Sequence, residues 1–119
     1  MNEDLKQRFI KLGLDVDSAV RRFMDDENMF LKYLLRFEKE RSYSDMIEAL
    51  KNKEMEKAFK AAHSFKGVCG NLSMEELYKL ACRQVEILRE NQLDGLEENT
   101  ELLSREYKRV VTGIRKCFE

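Results

Sequence analysis

Apolar residues recur at intervals of three and four along most of the 119-residue chain. That spacing gathers side chains on one face of an α-helix. The clearest case follows Asn52, where Met55, Ala58, Phe59, Ala62, Phe65 and Cys69 make one stripe that runs to about Gly70. Asn52 is expected to cap this helix, since its side-chain oxygen can accept from a free amide of the first turn. Ser73 then opens a further helix, with Glu76 three residues later completing a capping-box pattern. Leu77, Leu80, Ala81 and Leu88 set its inner face as far as about Asn91. After "NQLDGLEEN", a last long helix carries Leu102, Leu103, Tyr107, Val110, Val111 and Ile114.

The first fifty residues divide into shorter pieces. One helix covers about residues 3–11 and ends before "GLDVD", and a second runs from near Asp17 to about Phe23. The segment "DENMFLKYLLRFEKE" places Met29, Phe30, Tyr33, Leu34 and Phe37 on one stripe, and Ser44 precedes a short helix, "DMIEAL", that stops around "KNK". Three long amphipathic helices on short connections, with the 29–40 segment as a fourth wall, predict an all-α fold. It is an antiparallel four-helix bundle with additional short N-terminal helices. There is no proline, internal repeat or low-complexity tract, and residues 1–119 are expected to form a single domain.

Composition narrows the function classes. Apolar residues make up 43% of the chain and charged residues 38%, yet 22 basic and 23 acidic side chains leave a net charge of only −1. That balance gives no electrostatic basis for binding nucleic acid or an anionic membrane. The opening "MNEDLKQRF" has no apolar signal region and no apolar run reaches membrane-spanning length, so a cytoplasmic location is expected. Cys69, Cys82 and Cys117 are odd in number, widely spaced and without a CxxC pair, which makes them reduced packing residues rather than metal ligands. A bundle that closes its own core is expected to be a monomer.

The one histidine changes the picture. It stands in "AAHSFKGVCGN", residues 61–71. With Ala62 at the centre of the buried stripe, His63 lies about 100° round the helix, on the shoulder of the core. Gly70 falls on nearly the same bearing, and Gly67 about 40° farther out. Each interior glycine costs about 1 kcal/mol relative to alanine, so the pair needs a reason. For Gly70 that reason can be the close approach of a neighbouring helix or the helix end. For Gly67, four residues beyond the ring, an uncovered approach to the imidazole is the better account. Lys66 projects from the next turn, within reach of a group attached to His63, and its ammonium can neutralise phosphoryl oxygens; Lys60 flanks the ring from the preceding turn.

An exposed imidazole has a nitrogen lone pair available near neutral pH and can attack phosphorus without a separate strong base. The chain has no P-loop, no kinase glycine loop and no carboxylate cluster for its own magnesium, so no autonomous ATP-dependent kinase activity is expected. It can carry a phosphoryl group but must receive it from elsewhere.

The stretch "AHSFKGVCGNLSMEELYKLA", residues 62–81, resembles the histidine-containing phosphotransfer domains of multistep two-component phosphorelays. Their signature, a histidine followed three and four residues later by lysine and glycine, is matched by His63, Lys66 and Gly67, with Gly70 beyond. The resemblance implies that His63 forms an Nε2 phosphohistidine, that Lys66 steadies the phosphoryl oxygens and that Gly67 admits the partner. It also implies the partner itself: the receiver domain of a response regulator or of a hybrid sensor histidine kinase, which supplies the aspartate and the Mg2+. No cofactor is expected on this chain. Two departures stand out. Ser73 replaces a glycine common in relatives, and Gln84 followed by Val85 reverses their apolar-then-polar order. Gln84 could therefore turn toward the His63 surface, with Arg83 contributing charge from the flank. The alternative reading is a non-catalytic helical module that binds receivers as an adaptor.

Overall fold

The computed structural model describes residues 1–119 and contains seven α-helices and no strand. Three short helices come first: α1, Glu3–Leu12; α2, Val16–Arg22; and α3, Glu27–Arg36. Each is capped by the side chain before it, with Asn2, Asp15 and Asp26 accepting from the amides of Leu5, Ser18 and Met29 at 2.8, 3.1 and 3.0 Å. Such caps satisfy amides that no earlier turn can reach. A 3-10 turn over Phe37–Lys39 leads to α4, Ser42–Lys51, and then α5, Met55–Asn71; α6, Glu75–Glu90; and α7, Leu96–Cys117, follow on short connections. At 1.5 Å per residue α7 is about 33 Å long, which accounts for most of the 44 Å long axis of the molecule.

The all-α architecture with extra N-terminal helices is the one the periodicity predicts, but the fourth wall is a different helix. The connections between α4, α5, α6 and α7 are all short, so consecutive helices run antiparallel, and α4 packs directly against α5. α3 instead covers one end, where Phe30 and Leu34 are buried while Met29 and Tyr33 stay exposed. Phe37, at the start of the 3-10 turn, is buried with them, so the inward stripe is Phe30, Leu34 and Phe37. On α7, Leu103 is buried and Leu102 is not.

Two predicted caps are also replaced. Asn52 closes α4 instead of opening α5, which starts after Glu54 with no side-chain cap. Ser73 does not form a capping box, because it sits in the left-handed region at φ 50° and Met74 takes the cap position. The backbone of this loop is used to join two parts of the fold. The Ser73 carbonyl accepts from Asp15 N at 2.9 Å, Gly13 O accepts from Glu75 N at 3.1 Å, and the Ser73 hydroxyl donates to Ser18 Oγ at 3.2 Å. The α5–α6 loop is thereby stitched to the α1–α2 loop.

Twenty-two buried apolar residues form one continuous core. Its aromatic centre is Phe65, 1% exposed, whose ring meets Phe37, Tyr43 and Tyr107 at centroid distances of 6.2, 5.7 and 5.9 Å. Tyr43 and Tyr107 stack at 3.7 Å with planes 5° apart. Phe65 therefore joins α5 to the 3-10 turn, α4 and α7 at once. Between α6 and α7 the core contains a polar knot: buried Asn99 donates through Nδ2 to Leu80 O at 3.1 Å and to Gln84 Oε1 at 2.8 Å, and Gln84 Nε2 donates to Thr100 Oγ1 at 2.7 Å. Cys69 is buried, which pushes its thiol well above the ordinary range, and all three cysteines are free.

Replacing Phe65 by Ala should lower the unfolding free energy by about 3–5 kcal/mol, as expected for emptying an aromatic site shared by several elements, and urea denaturation measures it. Asn99→Leu alone should cost about 1–3 kcal/mol by leaving the Gln84 amide without its donor. The double variant with Gln84→Leu should recover most of that loss in the same assay.

Candidate functional site

α5 is held on three sides, and its phase about its own axis follows from what it buries. Ala58, Ala62, Phe65 and Cys69 all point inward. His63 lies two residues before Phe65, about 160° round the helix from it, and is exposed. The imidazole is where the stripe puts it, on the shoulder of the bundle facing out. Its ring lies 6.4 Å from that of half-buried Phe59 one turn earlier, and the guanidinium of Arg89 sits 5.7 Å from the centre of the Phe59 ring. An aromatic ring flanked by a cation and an imidazole thus forms the N-terminal border of the site.

The two glycines on the far side have separate causes. A Cβ placed on Gly67 would meet nothing within 4 Å, so the absent side chain leaves open space one turn beyond the ring. At Gly70 the same atom would come within 3.1 and 3.3 Å of the Tyr78 ring. Gly70 is explained by the packing of α6, the close-approach account, while it still borders the open surface. The nearby Cys82 thiol holds the Tyr78 phenol above its ordinary range.

The lysines also differ. Lys66 is half-buried and forms no ion pair of the kind that holds Lys57 to Glu54 at 2.7 Å and Lys60 to Glu56 at 3.6 Å. Together with Gly67 and Gly70 it lines a groove of about 390 Å3 whose other wall includes Arg22 of α2 and Tyr78 of α6. Lys60 is exposed, points toward the solvent pole and has its charge partly answered by Glu56. The structure gathers His63, Lys66 and Gly67 on one surface and leaves Lys60 at its edge.

Gln84 does not reach that surface. It is 0% exposed and both ends of its amide are engaged by Asn99 and Thr100, so its polar group serves the α6–α7 contact. Asn99 was the unrecognised partner, and nothing in its local sequence marks it as buried. Arg83 is exposed on α6. The α6 residues that meet α5 beside the site are Tyr78, against Gly70, and Arg89, over Phe59. Arg83 lies about 120–140° round from both, pointing away from the imidazole. Arg22 and Arg89 border the site instead, and only tertiary packing brings them there.

The two glycines can be separated by stability. Gly67→Ala should raise the unfolding free energy by about 1 kcal/mol through helix propensity alone. Gly70→Ala should gain less or lose, because the Tyr78 ring must yield, and thermal unfolding of the two variants side by side checks this.

No helix of the structure is long and apolar enough to cross a membrane, and no group of three or more His, Cys, Asp or Glu residues is placed to hold a metal ion. Comparison with curated proteins and with solved structures gives no match. The family model described as Hpt domain matches residues 36–113, from the end of α3 through most of α7, and so includes α4, α5, α6, the greater part of α7 and the His63 surface. An exposed histidine on the second helix of that bundle, with an open glycine one turn on, agrees with the match, and the chain belongs to the Hpt domain family, whose members have a phosphotransfer role in phosphorelays.

Proposed function

We propose that this chain accepts a phosphoryl group on His63 from the phospho-aspartate of one receiver domain and returns it to the aspartate of another. The observation that carries the reading is the exposed imidazole beside empty space at Gly67. In the forward step the Nε2 lone pair attacks phosphorus, the bond from phosphorus to the aspartyl oxygen breaks, and the carboxylate leaves with the electron pair. The ring keeps its proton on Nδ1, and the reverse sequence regenerates a neutral imidazole.

Lys66, with no carboxylate partner, is the cation nearest at hand for the phosphoryl oxygens, and Gly67 gives a bulky partner a clear line to the ring. Catalysis of this kind is positioning and charge neutralisation. The receiver supplies the aspartate and Mg2+, and the chain binds no cofactor of its own. None of the five main grooves of the structure is lined by His63, which favours a protein over a small molecule as the usual phosphoryl donor. The core closes within one chain, in keeping with a monomer, and three free cysteines fit a reducing, cytoplasmic setting.

Incubation with a phosphorylated receiver should label the wild-type chain with acid-labile phosphate and leave His63→Gln at background; equal label in both would refute the assignment. Lys66→Ala should slow transfer about 10–100-fold, the loss expected for one charge-assisted contact in the transition state. Gly67→Gln should slow it at least about tenfold while thermal unfolding stays at or above the wild-type temperature, since the side chain obstructs approach and favours the helix.

A further inference from the structure

A second groove, of about 560 Å3, opens between α2, α3 and the C-terminal half of α5. Seven of its eleven lining residues are apolar. Phe23 and Tyr33 stack within it at 5.3 Å, and Val68 and Leu72 reach it from the α5 side. Met24 is 89% exposed, Tyr33 46% and Met29 39%, so neighbouring apolar side chains of this one groove stand in water. Clustered exposure of this kind marks a contact surface, whereas single exposed apolar residues do not. Flexible methionines suit such a surface because they repack against different shapes.

Charge says what kind of partner fits. Arg22 and Arg36 line the groove, and neither takes part in any of the ten salt bridges of the structure. The lining holds a single carboxylate, Glu40, one of whose oxygens, Oε2, accepts from the Ser42 amide at 2.9 Å and from the Ser42 hydroxyl at the start of α4. Two guanidinium groups outside any salt bridge therefore face an apolar trough that holds one carboxylate, an excess of positive charge. Guanidinium forks match carboxylates in geometry as well as sign.

The groove adjoins the phosphotransfer surface, sharing Arg22 and Asn71 with the groove beside Lys66 and Gly67, but its apolar floor faces another way. Val68 lies about 140° round α5 from His63, so a segment seated against it leaves the imidazole uncovered. Phe23, Met24, Met29 and Tyr33 also precede residue 36, where the family match begins. The N-terminal helices thus supply one wall of the groove, and the other wall, with Phe37, Val68 and Leu72, lies within the matched residues.

We propose that this groove docks an acidic amphipathic segment of a partner protein, with apolar side chains seated on Phe23, Met24, Met29 and Tyr33 and carboxylates paired to Arg22 and Arg36. Exposed ion pairs add little affinity by themselves. The apolar anchors supply the binding and the arginines select acidic over basic sequences. The inference does not depend on the chemistry of His63, because the apolar anchors and the ring are on different sides of α5, although Arg22 borders both grooves.

Selection of displayed random peptides against the immobilised full chain tests it, followed by titration of the enriched peptides in solution. Peptides pairing apolar anchors with two or more carboxylates should be enriched. They should bind Met24→Asp and Tyr33→Asp at least tenfold more weakly than wild type, and bind His63→Gln unchanged. Arg36→Glu should weaken the acidic peptides and recover binding to versions with lysine in place of one carboxylate. Both methionine and tyrosine positions are exposed, and circular dichroism of the variants confirms that they remain folded. Enrichment of basic or neutral peptides, no enrichment at all, or binding indifferent to the groove variants would overturn the proposal. So would sedimentation showing that the groove variants abolish a dimer of this chain, or dodecanoate occupying the groove without displacement by the acidic peptides.

Discussion

The burial of Phe65 against Phe37, Tyr43 and Tyr107 is the contact on which the rest of the molecule depends. A helix with a stripe of small residues, Ala58, Ala62 and Cys69, could rotate by some tens of degrees against its neighbours without exposing much apolar surface. A phenyl ring gripped by three other rings from three different elements cannot. Fixing that ring fixes the phase of α5, and with it the outward direction of His63 on the nearly opposite side. The reactive group is held in place by a residue that never touches it.

A second constraint acts at the end of α5. The left-handed turn at Ser73 and its backbone pairing with Asp15 and Gly13 bring α2 beside the last turns of the histidine helix. This places Arg22 across from Lys66 and Gly67, and turns three short N-terminal helices into a wall. Without that stitch the α2–α3 unit would have only its few contacts with α1 and the bundle end to orient it. The same junction therefore shapes the groove beside the histidine and the apolar groove farther round.

Polar groups are divided between structure and chemistry. The Gln84, Asn99 and Thr100 knot spends its hydrogen-bonding capacity inside the α6–α7 contact, where a buried amide without partners would be costly. On the outer face, Lys66, Arg22 and Arg36 keep their charges uncommitted, while lysines nearby pair with glutamates on their own helix. An unpaired cation at the surface costs little in water, and it remains available to a partner that brings a negative charge.

Much of this was legible in the chain itself. Periodicity alone gave the long helices, and the bearing of His63, Lys66 and Gly67 relative to the Ala62 stripe followed from helix geometry, because residues on one helix carry their relative directions with them. What periodicity could not decide was anything that requires two helices. Asn52 and Ser73 have the chemistry of caps, but the first closed the preceding helix and the second gave its carbonyl and its hydroxyl to the α1–α2 region. Gln84 is polar and could have turned toward the His63 surface, yet Asn99, fifteen residues away, makes its burial tolerable. The identity of the fourth wall, the cause of Gly70 in the Tyr78 ring, and the approach of Arg22 and Arg89 to the site are likewise contacts between distant segments. Local sequence sets the direction of a side chain on its own helix; only packing decides which neighbour that direction meets.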